Sequence, residues 1–95
     1  MKDMKNLLAL GMKLMDAKKR YYRAEFGFES AISELDISYR DERKPQSGRM
    51  TEAEVRAHVM EQARPERNEL KLAQINLAEV EIMYELEKLR LQYEE

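Results

Sequence analysis

Two interlocked heptad series constrain this chain more than any other feature. Leu7, Leu14, Tyr21, Phe28 and Leu35 recur at intervals of seven, and Leu10, Ala17, Ala24, Ala31 and Ser38 recur at sevens offset by three. A helix brings residues three, four and seven apart onto one face, so this is the a/d pattern of a coiled-coil seam. The pattern predicts one helix over about residues 4–43, roughly 60 Å long at 1.5 Å per residue. The offset series is small from Ala17 onward, so a partner helix is expected to approach closely there. Gly27 weakens the helix by about 1 kcal/mol relative to Ala, and it marks where a kink or break between Phe26 and Phe28 would fall.

The clearest turn follows, at Lys44-Pro45-Gln46-Ser47-Gly48-Arg49, where proline disfavours helical geometry in the residue before it. Thr51-Glu52-Ala53-Glu54 then reads as a capping box, with Met50 and Val55 placed to staple the entry. A second leg is expected from Thr51 to about Glu94, interrupted by Pro65. Proline removes one donor and clashes with the preceding turn, so the leg either kinks there or restarts with Pro65 as the first residue of a new helix.

Two legs of nearly equal length joined by a short turn predict an antiparallel αα-hairpin folded about Gln46–Ser47. In a register where partner numbers sum to about 94, Leu10 meets Tyr84, Leu14 meets Val80, Ala17 meets Leu77 and Tyr21 meets Ala73. Nearer the turn, Ile32 meets Ala63, Leu35 meets Val59 and Tyr39 meets Val55. Small residues face large ones, as close packing requires. Phe28 is the exception, falling opposite Glu66 beside the proline.

The seam does not use all the apolar residues. Leu8, Met12, Met15, Tyr22 and Phe26 form a second stripe on the first leg, interrupted by Lys19. Leu72, Ile75, Ile82, Leu86, Leu89 and Tyr93 form one on the second leg, interrupted by Glu79. A two-helix hairpin cannot bury two faces per helix, and helices apolar on two sides belong inside a bundle. The expected solution is a homodimer, two hairpins making a four-helix bundle at the open end. Leu8, Met12, Met15, Tyr22, Phe26, Leu72, Ile75, Ile82, Leu86 and Leu89 are its expected interface. The turn end, about residues 34–62, lacks the second stripe and is expected to project as a polar arm.

Composition narrows the function. The 95 residues make one domain, and the absence of Cys excludes disulfides, thiol nucleophiles and Cys-ligated metals. No run of about 18 apolar residues exists and the first residues alternate charge with Leu, so a soluble cytoplasmic protein is expected. Residues 1–49 carry 11 basic and 8 acidic groups and residues 50–95 carry 6 and 11, a difference that supports pairing of the legs and yields a net charge of -2. A net acidic chain is a poor general DNA binder.

Few residues promise chemistry. His58, the single histidine, lies beside Glu54, Glu61 and Gln62, but Val55 occupies the position three before it, and a carboxylate–histidine di-iron site needs Glu-x-x-His on paired helices. No Gly-rich phosphate loop and no Ser/His/Asp set is present, so no cofactor, metal or catalytic role is expected. Lys18-Lys19-Arg20-Tyr21-Tyr22-Arg23 mixes cations with aromatics, a combination that can mark nucleic-acid contacts, with Lys19, Arg20 and Arg23 sharing an exposed side. Arg40, Arg43, Lys44 and Arg49 make a basic tip, the first candidates for contact with a partner, with Tyr39 and Arg56 flanking them.

In size and helicity the chain invites comparison with the helical chorismate mutases, which grip their dianionic substrate with inward-facing Arg and Lys. The first-leg seam here is Leu, Tyr, Phe, Ala and Ser, with no cation. In size, charge and uninterrupted helicity it is similar to small accessory proteins of phages and mobile elements, including anti-CRISPR inhibitors of host machinery. The expectation is a non-catalytic scaffold, adaptor or inhibitor that binds itself and another protein, or a protein–nucleic acid machine, by occlusion or bridging. The alternative is a nucleic-acid-binding protein using the tip or Lys19, Arg20 and Arg23.

Overall fold

Three helices follow one another without a strand in a computed structural model that describes residues 4–43 and 51–93, with the backbone alone for Glu42 and Arg43. They are α1 (Lys5–Arg43), α2 (Glu52–Gln62) and α3 (Arg64–Tyr93). The chain is an all-α helical hairpin whose second leg is broken beside Pro65. The expected turn at 44–50, including Met50 of the staple, lies outside the described residues.

Helix α1 runs unbroken through Gly27. A Cβ placed there would meet nothing within 4 Å, so no neighbour requires glycine at this position. The cost of one glycine, about 1 kcal/mol, is too small to interrupt a helix held along its length by a seam.

Helix α2 starts where its cap dictates. Thr51 is extended (φ -77°, ψ 155°), and its hydroxyl oxygen accepts a hydrogen bond from the Glu54 N–H at 3.1 Å. Glu52 and Glu54 in the first turn complement the positive end of the helix. Helix α2 ends at Ala63, which leaves the helical region (φ -89°, ψ 12°) while its N–H still donates to the Val59 carbonyl at 2.9 Å. Pro65 then stands second in α3, within the first turn, where a missing N–H costs nothing because no carbonyl awaits it. The break is thus one residue wide, and the Arg67 N–H already donates to the Ala63 carbonyl at 3.0 Å.

The described residues fall into two compact units. The two-helix unit contains residues 4–23 of α1 and 71–93 of α3. The three-helix unit contains residues 24–43 of α1, all of α2, and α3 up to Leu70. Both are antiparallel. In the first, Gly11 sits 3.6 Å from the Tyr84 ring, measured from an idealised Cβ. In the second, Arg40 reaches Glu52 and Tyr39 stacks on His58.

The core is thin in each unit. Ala17, Ala73 and Leu91 are buried in the two-helix unit; Val55, Val59 and Ala63 are buried in the other. Ala17 and Ala73 are small enough to be buried between two helices, and Leu14, Tyr21 and Val80 on the same seam are half-buried. Most seam residues remain only half-buried. Two packed helices share one line of contact, so a third layer would be needed to enclose them. Ser38 departs from the expected seam: it is exposed, while Ile32, Leu35 and Tyr39 are half-buried.

A candidate interaction surface

The spacing that puts one stripe of α1 into the seam puts a second on the side of the helix turned away from it. Leu8, Met12, Met15, Tyr22 and Phe26 occupy that side, and all are exposed. On α3 the same relation holds for Leu72, Ile75, Ile82, Leu86 and Leu89. The least exposed of the ten, Leu89, is 48% accessible, and the most exposed, Phe26, 72%. Single exposed apolar residues are ordinary on a soluble surface, but contiguous ones rimmed by polar groups mark interaction sites.

Their distribution is uneven. Fourteen large apolar side chains are exposed among the described residues, and twelve of them belong to the two-helix unit. Only Phe26 and Ile37 belong to the other. Met4, Met83 and Tyr93 extend the apolar set on the two-helix unit, and the sequence pattern did not place Met4 and Met83 in either stripe. Neither falls on the alternating three-and-four series of its stripe, although Met4 stands four residues before Leu8 and Met83 three before Leu86.

Charged residues border this surface along α3. The Lys88 ammonium lies 3.4 Å from Glu85 and 5.4 Å from the Tyr84 ring centre. Arg90 donates to Glu87, which holds the Glu87 carboxyl below the usual carboxylate range. Lys19 and Glu79, the two charges within the apolar stripes, are both exposed.

The basic tip is described only in part. Lys44 and Arg49 lie outside the described residues, and Arg43 closes α1 with its backbone alone described. Arg40 is engaged within the chain. It donates to Asp36 one turn back and, in a two-pronged contact of 2.7 and 3.1 Å, to both carboxylate oxygens of Glu52 at the start of α2. These carboxylates raise the Arg40 guanidinium, and Arg40 in turn lowers the Glu52 carboxyl, first by hydrogen bonding and then by charge. The pair ties the end of α1 to the start of α2, and Arg40 remains partly open to solvent.

An open groove of about 400 Å³ lies beside this pair, floored by Ile32, Val55, Val59 and Met60 and rimmed by Asp36, Arg40, Glu52 and Arg56. Tyr39, expected to flank the tip, is half-buried and stacks on His58 with ring centres 3.9 Å apart. This use of His58 was not read from the sequence. Tyr39 and His58 lie across the helix pair, and no local spacing connects them. Among the described residues, no group of three or more His, Asp or Glu could hold a metal ion.

Lys19, Arg20 and Arg23 are exposed on α1. No helix among the described residues is long and apolar enough to cross a membrane. Neither a protein-family model, nor a curated protein, nor a solved structure matches the chain.

Proposed function

We propose that this chain is a non-catalytic protein-binding module of the cytoplasm, a scaffold, adaptor or inhibitor that acts by occlusion or bridging. The observation that carries this reading is the exposed apolar surface of the two-helix unit, where Leu8, Met12, Met15, Ile75, Ile82 and Leu86 remain accessible on helices already packed along another face. Helices with two apolar faces gain by burying the second against further protein. Arg40 and Arg56, exposed on the three-helix unit, together with the cations Arg43, Lys44 and Arg49 that the sequence supplies near them in the chain, then select what is bridged or blocked. Complementary charge at an interface rim governs partner choice and encounter rate more than affinity.

A photoreactive residue in place of Leu86 tests the reading. Irradiation in a cell extract is expected to yield polypeptide adducts at that position, and a control residue at Glu34, on the exposed surface of the other unit, is expected to yield fewer. Absence of any polypeptide adduct at Leu86 would overturn it.

The second reading is nucleic-acid binding, favoured by the exposure of Lys19, Arg20 and Arg23 along one stretch of α1. It requires a duplex-DNA mobility shift at about 50 mM salt, with log K falling by roughly 0.9 per phosphate neutralised as log salt rises.

A further inference from the structure

We infer that copies of this chain join edge to edge, the outer stripe of α1 on one copy packing antiparallel against the outer stripe of α3 on the next, with Lys19 meeting Glu79. This rests on the protein-binding reading and names its partner. Direction, register and charge carry it together.

At 3.6 residues per turn, the stripe through Leu8, Met12, Met15 and Tyr22 lies roughly 140° around α1 from the seam. The stripe through Ile75, Ile82, Leu86 and Leu89 lies roughly 150° around α3 from its own side of the seam. The two-helix unit therefore carries one apolar stripe on each of its two outer edges, and all eight residues are exposed. A single further hairpin can cover only one edge. Because the helices are antiparallel, the stripes leave the plane of the pair on opposite sides, by roughly 40° and 30°. The rotation from copy to copy is then small. A contact between two different edges with so little rotation extends as a row and does not close into a small ring.

The two stripes match in register. On α1 the series from Leu8 to Tyr22 steps by four, three, four and three, with Lys19 as its fourth member. On α3 the series from Ile75 to Leu89 has the same steps, with Glu79 as its second member and hence its fourth in reverse. An antiparallel contact pairs Met12 with Leu86, Met15 with Ile82 and Lys19 with Glu79. The numbers of all five pairs sum to 97 or 98, so every pair is level within one residue. A parallel contact that kept Lys19 on Glu79 would set Leu8 opposite Asn68 and Leu89 opposite Glu29.

Charge separates this contact from one in which each stripe meets its own kind. Centred on a two-fold axis, α1 against α1 sets Lys19 on Met12, and α3 against α3 sets Glu79 on Leu86. Each charge would then be desolvated without a partner. A foreign surface would have to supply the same spacing with the opposite charge, and the chain already carries both. Eight apolar side chains at roughly 100 Å² each, with the aliphatic stem of Lys19, bring one contact to the order of 1,000 Å². That is near the lower bound for a specific interface, so assembly is expected above about 10 µM.

Sedimentation velocity on the full chain, from about 1 to 300 µM, tests the inference, with circular dichroism as a check on folding. The weight-average mass is expected to rise with concentration and to pass that of a dimer. Met12→Glu spoils the α1 stripe and Leu86→Glu the α3 stripe, both at exposed positions, so each variant alone is expected to stay monomeric with its helix content intact. Mixed in equal amounts, the two are expected to form a one-to-one dimer and nothing larger, because each keeps the stripe that the other lacks. Lys19→Glu and Glu79→Lys are each expected to weaken assembly roughly tenfold, and the double exchange in one chain is expected to restore it. A helical monomer at the highest concentration would overturn the second copy, while polypeptide adducts at Leu86 would still support binding of foreign protein. A mass that stops at twice the monomer, or variants that dimerise alone and gain nothing on mixing, would overturn the edge-to-edge contact. Failure of the double exchange to restore assembly would overturn the Lys19–Glu79 pairing.

Discussion

In the two-helix unit the positions of α1 turned away from the seam read Leu8, Met12, Met15, Lys19 and Tyr22; continued past Phe26 into the three-helix unit, the same series reads Glu29, Ser33, Asp36 and Arg40. The helix and its periodicity are unchanged. What changes is the chemistry on that side of the helix, and it changes between Phe26 and Glu29, just inside the three-helix unit. On α3 the stripe likewise gives way, before Leu72, to Asn68 and Pro65. A polar outer side lets a pair of helices end at water, whereas an apolar one requires another layer. The units also differ in how they fix their helices. The three-helix unit has a side-chain cap at Thr51, the Arg40–Glu52 tie and the Tyr39–His58 stack. In the two-helix unit the buried side chains are Ala17, Ala73 and Leu91.

The contrast is broken if both units respond alike to new charge on an exposed apolar residue. If the two-helix unit associates, the melting temperature depends on protein concentration, because assembly stabilises the folded state by mass action. A tenfold rise in concentration is expected to raise it by on the order of 3–6 °C. Leu86→Glu is expected to remove that dependence. Ile37→Glu, at a residue equally exposed in the three-helix unit, is expected to leave it intact. Thermal scans at three concentrations decide the matter, and a loss of dependence in both variants would abolish the distinction between the units.

The next test sharpens the difference in local fixing. Thr51→Ala removes the hydroxyl oxygen that accepts from the Glu54 N–H, and loss of such a cap costs about 1 kcal/mol. Urea unfolding reads the cost. Hydrogen exchange is expected to show it concentrated in Glu52–Gln62, with the amides of 71–93 little changed.

The all-α hairpin was legible from spacing because its seam is one-dimensional. A heptad repeat states which residues face a partner helix, and matched leg lengths then set the register, which Gly11 against Tyr84 follows within one residue. The outer stripes were legible for the same reason, since a helix positions its outer side as firmly as its seam. The contacts between charged and ring side chains were not. With 17 basic and 19 acidic residues, the choice of Glu52 and Asp36 by Arg40 depends on rotamer and on the angle at which α2 leaves its cap. Proline chemistry allowed two outcomes at Pro65, and the backbone of Ala63 decided between them by turning out of the helix. Glu66, unmatched to Phe28 in the sequence register, keeps one buried carboxylate oxygen without a hydrogen-bond partner among the described residues, and the Arg67 Nε beside it does the same. Such groups mark where helix packing has outweighed the pairing of polar atoms.

The smallest effect concerns the tie between α1 and α2. Glu52 is held below the ordinary carboxylate range by its hydrogen bonds from Arg40 and then by the Arg40 charge, with a lesser contribution from the charge of Arg56. A carboxyl whose pKa is lower folded than unfolded stabilises the fold above its unfolded value, and that contribution is lost as pH falls through the folded one. Glu52 is therefore expected to titrate below the exposed carboxylates that lack such a partner, and the first turn of α2 is expected to loosen only once it has done so. Carbon-detected NMR across the acid range resolves each carboxyl. Arg40→Gln is expected to return Glu52 toward the ordinary range while leaving Glu87, which is held down by Arg90 in the other unit, where it was. A Glu52 titration unmoved by that substitution would show that the link between α1 and α2 is not made by this ion pair, and that the three-helix unit is fixed by its cap and apolar contacts alone.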